Sequence, residues 1–568
     1  MYYKSVYLLL LVSILTFSFV SCKNGRSNVK ASDIITSPED IDKAVSENIK
    51  SVLSNVDEKD KKLDDSTQLH FASIVKNLYN SDEYAPLWSS QEKWNSIADS
   101  LYDYISHAEL DGLFPNDYQF ARLKPIKSLL DADSLKRSDA VLWTRADILF
   151  TDGLANIIHD LKLGRMRPDS LSTIRDTTLA DQFYLDQIKK ILDSKNLLNT
   201  LVALQPQHEG YWQLKKAIPS FLDSMDKKVY TYVNYPYKKG DTKDSLFFIK
   251  VLQKRLVEGG LLEASDRLPD SAQLANAVKK MQQKKGITAD GKVGNVFIRA
   301  INTNDVERFK RIAITLDRYK RLPEKMPARF IWVNLPGFYL QVFDHDTAAI
   351  FSKIICGKPE TRTPLLTSEI TDMVTYPTWT VPTSIIAKQY LPKLKNNPNY
   401  LSRIGLKLYN SKGEVVDATS VNWGKYSRGI PFKVMQGSGD NNALGVMKFN
   451  FNNKYAVYLH DTNQRYLFKN ASRAYSHGCV RVQEWEKLAF YIAKYDSIKA
   501  PKRDSLSYNA DSIRNWVSHK QRHRIDVIDQ LPLFIRYFTC EGKDGKVIFY
   551  DDIYGEDRVL REKYFANK

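Results

Sequence analysis

Between residues 67 and 240 apolar positions recur at helical spacing. Phe71, Ile74, Val75 and Leu78 share one face, as do Leu142, Ile148, Leu149, Ala155, Ile158 and Leu161. The pattern predicts an α-helical scaffold, with Gly164 and Pro168 as a stop behind the second of these helices. Residues 22–66 are rich in Ser, Asp, Lys and Asn and read as a tether, with a short helix over 41–56. A compact three-helix unit is predicted over 241–303. Ile249, Leu252 and Leu256 line its first helix, which Gly259-Gly260 can cap. Leu274, Val278 and Met281 line the second, and the Asp290-Gly291 turn leads to a third ending at Asn302. A basic connecting helix follows over 304–327. After Pro327 the periodicity changes. Phe330–Asn334, Phe338–Val342, Ile350–Ile355, Lys448–Phe451, Ala456–Leu459, Phe534–Thr539 and Val547–Tyr550 read as strands. The predicted fold class is multidomain α+β: helical scaffold, small three-helix domain, and a mostly-β domain over 328–568.

Composition narrows the class. A length of 568 residues suggests about four domains. With 43% hydrophobic and 26% charged residues the chain can bury several cores. No internal apolar run is long enough to span a bilayer. The N-terminus differs: Lys4 precedes an apolar run from Val6 to Val20, and Cys22 follows Phe19-Val20-Ser21. That run reads as an export signal over 1–21. Its end resembles a bacterial lipobox, with Phe19 where Leu is usual. The resemblance implies lipidation at Cys22 and a periplasm-facing, membrane-anchored lipoprotein of the cell envelope; a plain signal peptide or an uncleaved anchor is the alternative. The net charge of +17 favours a polyanionic partner. No RNP-like or helix-turn-helix pattern accompanies it, so nucleic acid is not expected. Apart from Cys22, the cysteines are Cys356, Cys479 and Cys540, an odd number that leaves at least one thiol free, or paired with another chain, in an oxidising compartment.

The chemistry concentrates in Tyr458-Leu459-His460-Asp461-Thr462 and Ser476-His477-Gly478-Cys479-Val480-Arg481. A thiolate is a nucleophile, and an imidazole can take its proton. His477 and Cys479 are two apart, so on extended chain they share a face. Gly478 permits a turn and close substrate approach, and nearby amides can form an oxyanion hole. His460, His477 and Cys479 also suit zinc, but no further ligand pair recurs at zinc spacing, so neither metal nor cofactor is expected. Cys356 and Cys540 read as small buried hydrophobes.

The string resembles the active-site motif of the L,D-transpeptidases with a YkuD-type catalytic domain. Tyr376-Pro377-Thr378-Trp379-Thr380-Val381-Pro382, Asn442–Phe449 and Asp552-Ile553-Tyr554-Gly555 resemble further segments of the large periplasmic YcbB-like subfamily. AVKKMQQKKGITADGKVGNVFIRAIN, over residues 277–302, resembles a peptidoglycan-binding domain, with Met281 and Phe297 departing from the usual Phe and Thr. The resemblance implies 3→3 cross-linking of peptidoglycan stem peptides through a thioester on Cys479, in the service of cell-wall organisation and cell shape. It implies His477 as general base, with a main-chain carbonyl to orient it, and His460 as support for proton transfer or the oxyanion. Gly478 would serve the turn and the oxyanion. Tyr458, Trp379, Ser476 and Arg481 would line the substrate site, Arg481 either structuring it or holding a carboxylate. Residues 384–432 would form a mobile capping insertion. Carbapenems would acylate Cys479, and other wall-synthesis enzymes are candidate partners. An L,D-carboxypeptidase or a wall-protein tethering enzyme would use the same nucleophile. A non-catalytic peptidoglycan-binding anchor is the rival from another class.

Overall fold

The computed structural model describes residues 32–566, apart from 58, 65, 168–178, 227, 229, 235–241, 428 and 500–507. The expected signal, Cys22 and residues 22–31 of the expected tether lie outside that range. No helix among the described residues is long and apolar enough to cross a membrane.

The chain divides into two compact units. The first takes in residues up to Tyr102, Asp117–Asn156 and Tyr184–Lys195; the second takes in Asp103–Asn116, Ile157–Phe183 and everything from Asn196 onward. The helical region expected over 67–240 is therefore shared between them. The stretch expected as a tether is corrected in part. The short helix expected over 41–56 is α1 (Pro38–Asn55), and Ile41, Val45, Ile49 and Leu53 bury one stripe of it. Their spacing of four places all four on a single face, and burial of that face holds a polar segment in the fold. In α2 (Ala72–Ser81) the expected Ile74, Val75 and Leu78 are buried. In α3 (Ala140–Lys162) the buried Asp147 accepts the Leu87 and Trp88 amides at 3.0 and 3.1 Å, so the carboxylate is satisfied despite its burial.

In the second unit, α4 (Glu209–Asp223) packs against the C-terminal hairpin. Helices α5 (Thr242–Glu258), α6 (Ser271–Lys284) and α7 (Asn295–Asn302) form the expected three-helix module, with Leu252, Leu256, Val278, Met281 and Phe297 in its core. The connecting helix is α8 (Asp305–Tyr319).

The large sheet uses β1 (Arg329–Asn334), β2 (Tyr339–Asp344), β3 (Thr347–Gly357) and β4 (Leu366–Thr375). After β4 the chain leaves to build a separate four-stranded sheet: β5 (Trp379–Thr380), β6 (Leu406–Tyr409), β7 (Val415–Val416) and β8 (Lys433–Gln436), in the order β7-β6-β8-β5. It then returns through β9 (Met447–Phe451), β10 (Leu459–His460), β11 (Ala474–Ser476) and β12 (Val480–Val482). Helix α9 (Trp485–Lys499), β13 (Arg524–Arg536) and the hairpin β14 (Cys540–Lys543) and β15 (Lys546–Phe549) complete the chain path. The large sheet runs β11-β3-β12-β10-β9-β4-β13-β1-β2, and β2 pairs again with β3, so the sheet closes on itself. Closure removes the free edges a sheet would otherwise expose.

Alternation explains the packing. Ile331 and Val333 face the inside of the closed sheet with Leu340, Phe449, Leu459 and Val480. Phe330 and Trp332 face outward and meet Tyr211, Ile312 and Leu316 of α4 and α8. Strand β1 is thus buried on both faces, which is why it reads as a continuous apolar run. The insertion has its own core of Leu391, Leu394, Leu401, Leu408, Trp423 and Val434. The predicted strand Ala456–Leu459 is corrected to Leu459–His460, and Phe534–Thr539 to the end of the longer β13.

Candidate active site

The site lies on the outer face of three adjacent strands. β10 and β12 pair in parallel, Leu459 with Val480 and His460 with Arg481. Leu459 and Val480 point into the core, so Tyr458, His460, Cys479 and Arg481 share the opposite face. On the other side of β10, Lys448 of β9 pairs with His460 and joins that face. The Tyr458 and His460 rings meet edge-on at 5.6 Å, and Lys448 Nζ stands 4.1 Å from the Tyr458 ring centre.

The turn before Cys479 is built by hydrogen bonds. The Ser476 hydroxyl donates to the Cys479 carbonyl at 2.5 Å and accepts the Gly478 amide at 3.1 Å. Gly478 has φ +124°, a region that favours glycine. The Thr363 hydroxyl donates to the Gly478 carbonyl at 2.8 Å, and the Tyr554 hydroxyl donates to the Gly357 carbonyl at 2.8 Å. Ser476 is 3% exposed and its hydroxyl is committed to the turn. The Gly478 amide donates to Ser476, and Gly478 supplies the turn that the sequence predicts.

His460 is buried, and its Nδ1 bonds the Asp461 carbonyl. Burial, with the Arg481 charge behind it, pushes this imidazole down to about 3. Asp461 is itself fixed, accepting the Val446 amide at 3.0 Å and Arg465 Nη2 at 2.7 Å. His477 is exposed. Its Nε2 meets the side-chain amide of Gln389 at 2.5 Å, from a π-helical turn of the capping insertion, Ile386–Tyr390. Burial, then Lys358 and Arg481, hold it below the usual histidine range. The main-chain carbonyl expected behind His477 is therefore found behind His460, and the hydrogen bond made by His477 goes to the insertion rather than to Cys479.

Cys479 is partly exposed. Desolvation pushes its thiol up, and Tyr458, Lys448 and Arg481 pull it back. Cys356 and Cys540 are buried free thiols that burial pushes up to about 12, which keeps them protonated. Arg481 Nη1 donates to Gln464 at 3.0 Å. Tyr458, Lys448 and Trp379 border a groove of ≈ 530 Å³ that also includes Asp372, Arg522 and Arg524. No cluster of three metal-ligating side chains occurs among the described residues.

Sequence reasoning assigned no role to Lys448 or Gln389. Lys448 stood in a segment quoted for its resemblance, but only strand pairing brings it beside His460. Gln389 carried no signal, because its partner is 88 positions away.

A thiol, an oriented imidazole and a basic groove thus share one outer face of the closed sheet. Residues 328–499 match the family described as "L,D-transpeptidase catalytic domain", residues 73–218 a "Scaffold domain", and residues 248–301 a "Putative peptidoglycan binding domain". The chain thus carries a YkuD-type L,D-transpeptidase catalytic domain together with a peptidoglycan-binding and a scaffold domain. A Haemophilus influenzae protein named "Putative L,D-transpeptidase" is 31% identical over 251 residues, which span 44% of this chain and 49% of that one. The chain matches about half the length of this relative. Among solved structures, an L,D-transpeptidase from Mycobacterium smegmatis is 11% identical over 37% of this chain and 58% of that one, with a TM-score of 0.17. Another from Stackebrandtia nassauensis is 16% identical over 46% of this chain and 91% of that one, with a TM-score of 0.16. Likeness at that level bears no weight.

Proposed function

We propose that the protein is a cysteine L,D-transpeptidase of the cell envelope, anchored through a lipid on Cys22 and acting on peptidoglycan stem peptides. The observation that carries this reading is the shared sheet face on which Cys479 stands one rung from His460, with Tyr458 beside both. Cys479 Sγ attacks the carbonyl of the third residue of a donor tetrapeptide. The Tyr458 hydroxyl faces the developing oxyanion. His460 takes the thiol proton, the role expected of His477. Its ring is neutral at working pH, and the Asp461 carbonyl fixes its orientation. The proton passes to the departing terminal D-Ala amine, leaving a thioester. The side-chain amine of a second stem attacks that thioester, gives a 3→3 link and restores the thiol. Trp379 packs against the donor, and the insertion, joined to His477 through Gln389, keeps water from the thioester.

Intact-mass measurement of the full chain with tetrapeptide disaccharide tests this reading. The expected result is an adduct on Cys479 with loss of D-Ala. It should be slowed far more in His460→Gln than in His477→Gln. Equal slowing, or slowing only in His477→Gln, would return the base to His477. No adduct on a folded chain would favour a binding anchor.

A further inference from the structure

Both histidines beside Cys479 are held away from the charged state, and each already has a hydrogen-bond partner. In the resting site, positive charge beside the sulfur therefore comes from lysine and arginine. The groups that face it come from several elements: Tyr458 and His460 from β10 and its approach, Lys448 from β9, and His477 and Arg481 from its own segment. The Asp372 charge of β4 acts on Lys448, Arg524 stands 3.5 Å from Asp372, and Arg522 and Arg524 line the same groove. Two of these are cations next to the thiol. Arg481 is drawn toward Gln464. Lys448 lies across the Tyr458 ring, 4.1 Å from its centre, in the groove that Tyr458 borders.

We propose that Lys448 is a charge-positioning residue for Cys479: its ammonium, held by strand register one rung away and seated on Tyr458, steadies the negative charge that builds on the sulfur as His460 takes the thiol proton. This rests on Cys479 being the nucleophile and goes beyond the roles assigned above. Three features support it. Lys448 and His460 are register partners, so strand pairing fixes the height of the stem. The stem is partly buried, which concentrates the charge where screening is weak. Burial lowers the Lys448 ammonium, while the Cys479 thiolate and Asp372 draw it back, as a site built around an opposing anion would.

The test needs no substrate, so its failure is separable from failure of the transpeptidase reading. Iodoacetamide alkylation of the full chain is followed against pH, reading the Cys479 peptide by mass spectrometry. In Lys448→Met the rate profile should move about one unit to higher pH, about tenfold slower near neutrality, because thiolate fraction sets the rate. Lys448→Arg should restore it. A Lys448→Met profile that overlays the parent overturns the proposal. So does an equal displacement in Lys448→Arg, which would show that shape rather than charge matters. Protection of the buried Cys356 and Cys540 in the same digest reports that the fold is intact; if Lys448→Met exposes them, Lys448→Gln is read instead.

Discussion

Gly445 shows how closely the site is assembled. A Cβ there would fall 2.3 Å from Asp461 Oδ2 and 2.6 Å from the Thr462 amide, at a φ of +62°. The displaced carboxylate is part of the turn that orients His460. At Gly478 the φ is +124°, but the nearest atom to an added Cβ is 3.5 Å away, so the cost is backbone strain alone. Gly478→Ala should cost about 1–3 kcal/mol, and Gly445→Ala should cost more and also displace His460. Urea unfolding of the two variants checks the order; a milder Gly445→Ala would contradict it. His460 gives a second residue-scale expectation. Its folded value of about 3 lies below the ordinary histidine value of 6.5. Between these the unfolded chain takes up the proton and the folded one does not. The contribution of His460 to stability is therefore full above about pH 6.5 and lost as pH falls toward 3. Its ring resonances should stay in the neutral form down to pH 5 in NMR spectra, where an ordinary histidine is protonated.

At the scale of elements, the loops around Cys479 are joined by buried hydroxyls. The Tyr554 hydroxyl donates to the Gly357 carbonyl at 2.8 Å and accepts the Thr363 amide at 3.1 Å. Thr363 in turn holds the Gly478 carbonyl. Tyr554→Phe leaves two buried main-chain groups unpaired, so a loss of about 1–3 kcal/mol is expected, with slower acylation of Cys479. Unchanged unfolding would refute this link. Elements with a strong local pattern were legible in the chain. β1, β2, β9 and the three helices of the small module fall where periodicity and glycine stops predicted them. The helix of α1 was legible too, but its docking was not: four apolar residues spaced by four sit in a polar stretch, which read as a tether. Strand pairing was not legible at all. β10 and β12 are parallel neighbours although β11 lies between them in the chain, so the Lys448-His460-Arg481 row had no local signal. The motif showed that Cys479 and its histidines belong together, but not which ring a carbonyl would orient, since that depends on the turn that Asp461 builds.

At the scale of the molecule, the catalytic sheet, the three-helix module and α4 and α8 share the second unit. The closed sheet supplies a rigid floor, α4 and α8 cover its far side, and the insertion brings Gln389 to His477. A chain with a net charge of +17 suits a wall polymer rich in carboxylates. The central claim is that Cys479 on this sheet joins stem peptides. The most direct measurement is mass spectrometry of muropeptides after incubating the mature chain, and its Cys479→Ala variant, with tetrapeptide-containing disaccharide. The account predicts a 3→3 dimer from the parent chain and none from Cys479→Ala. A tripeptide product alone would replace transfer by hydrolysis, and a dimer formed equally by folded Cys479→Ala would contradict the account outright.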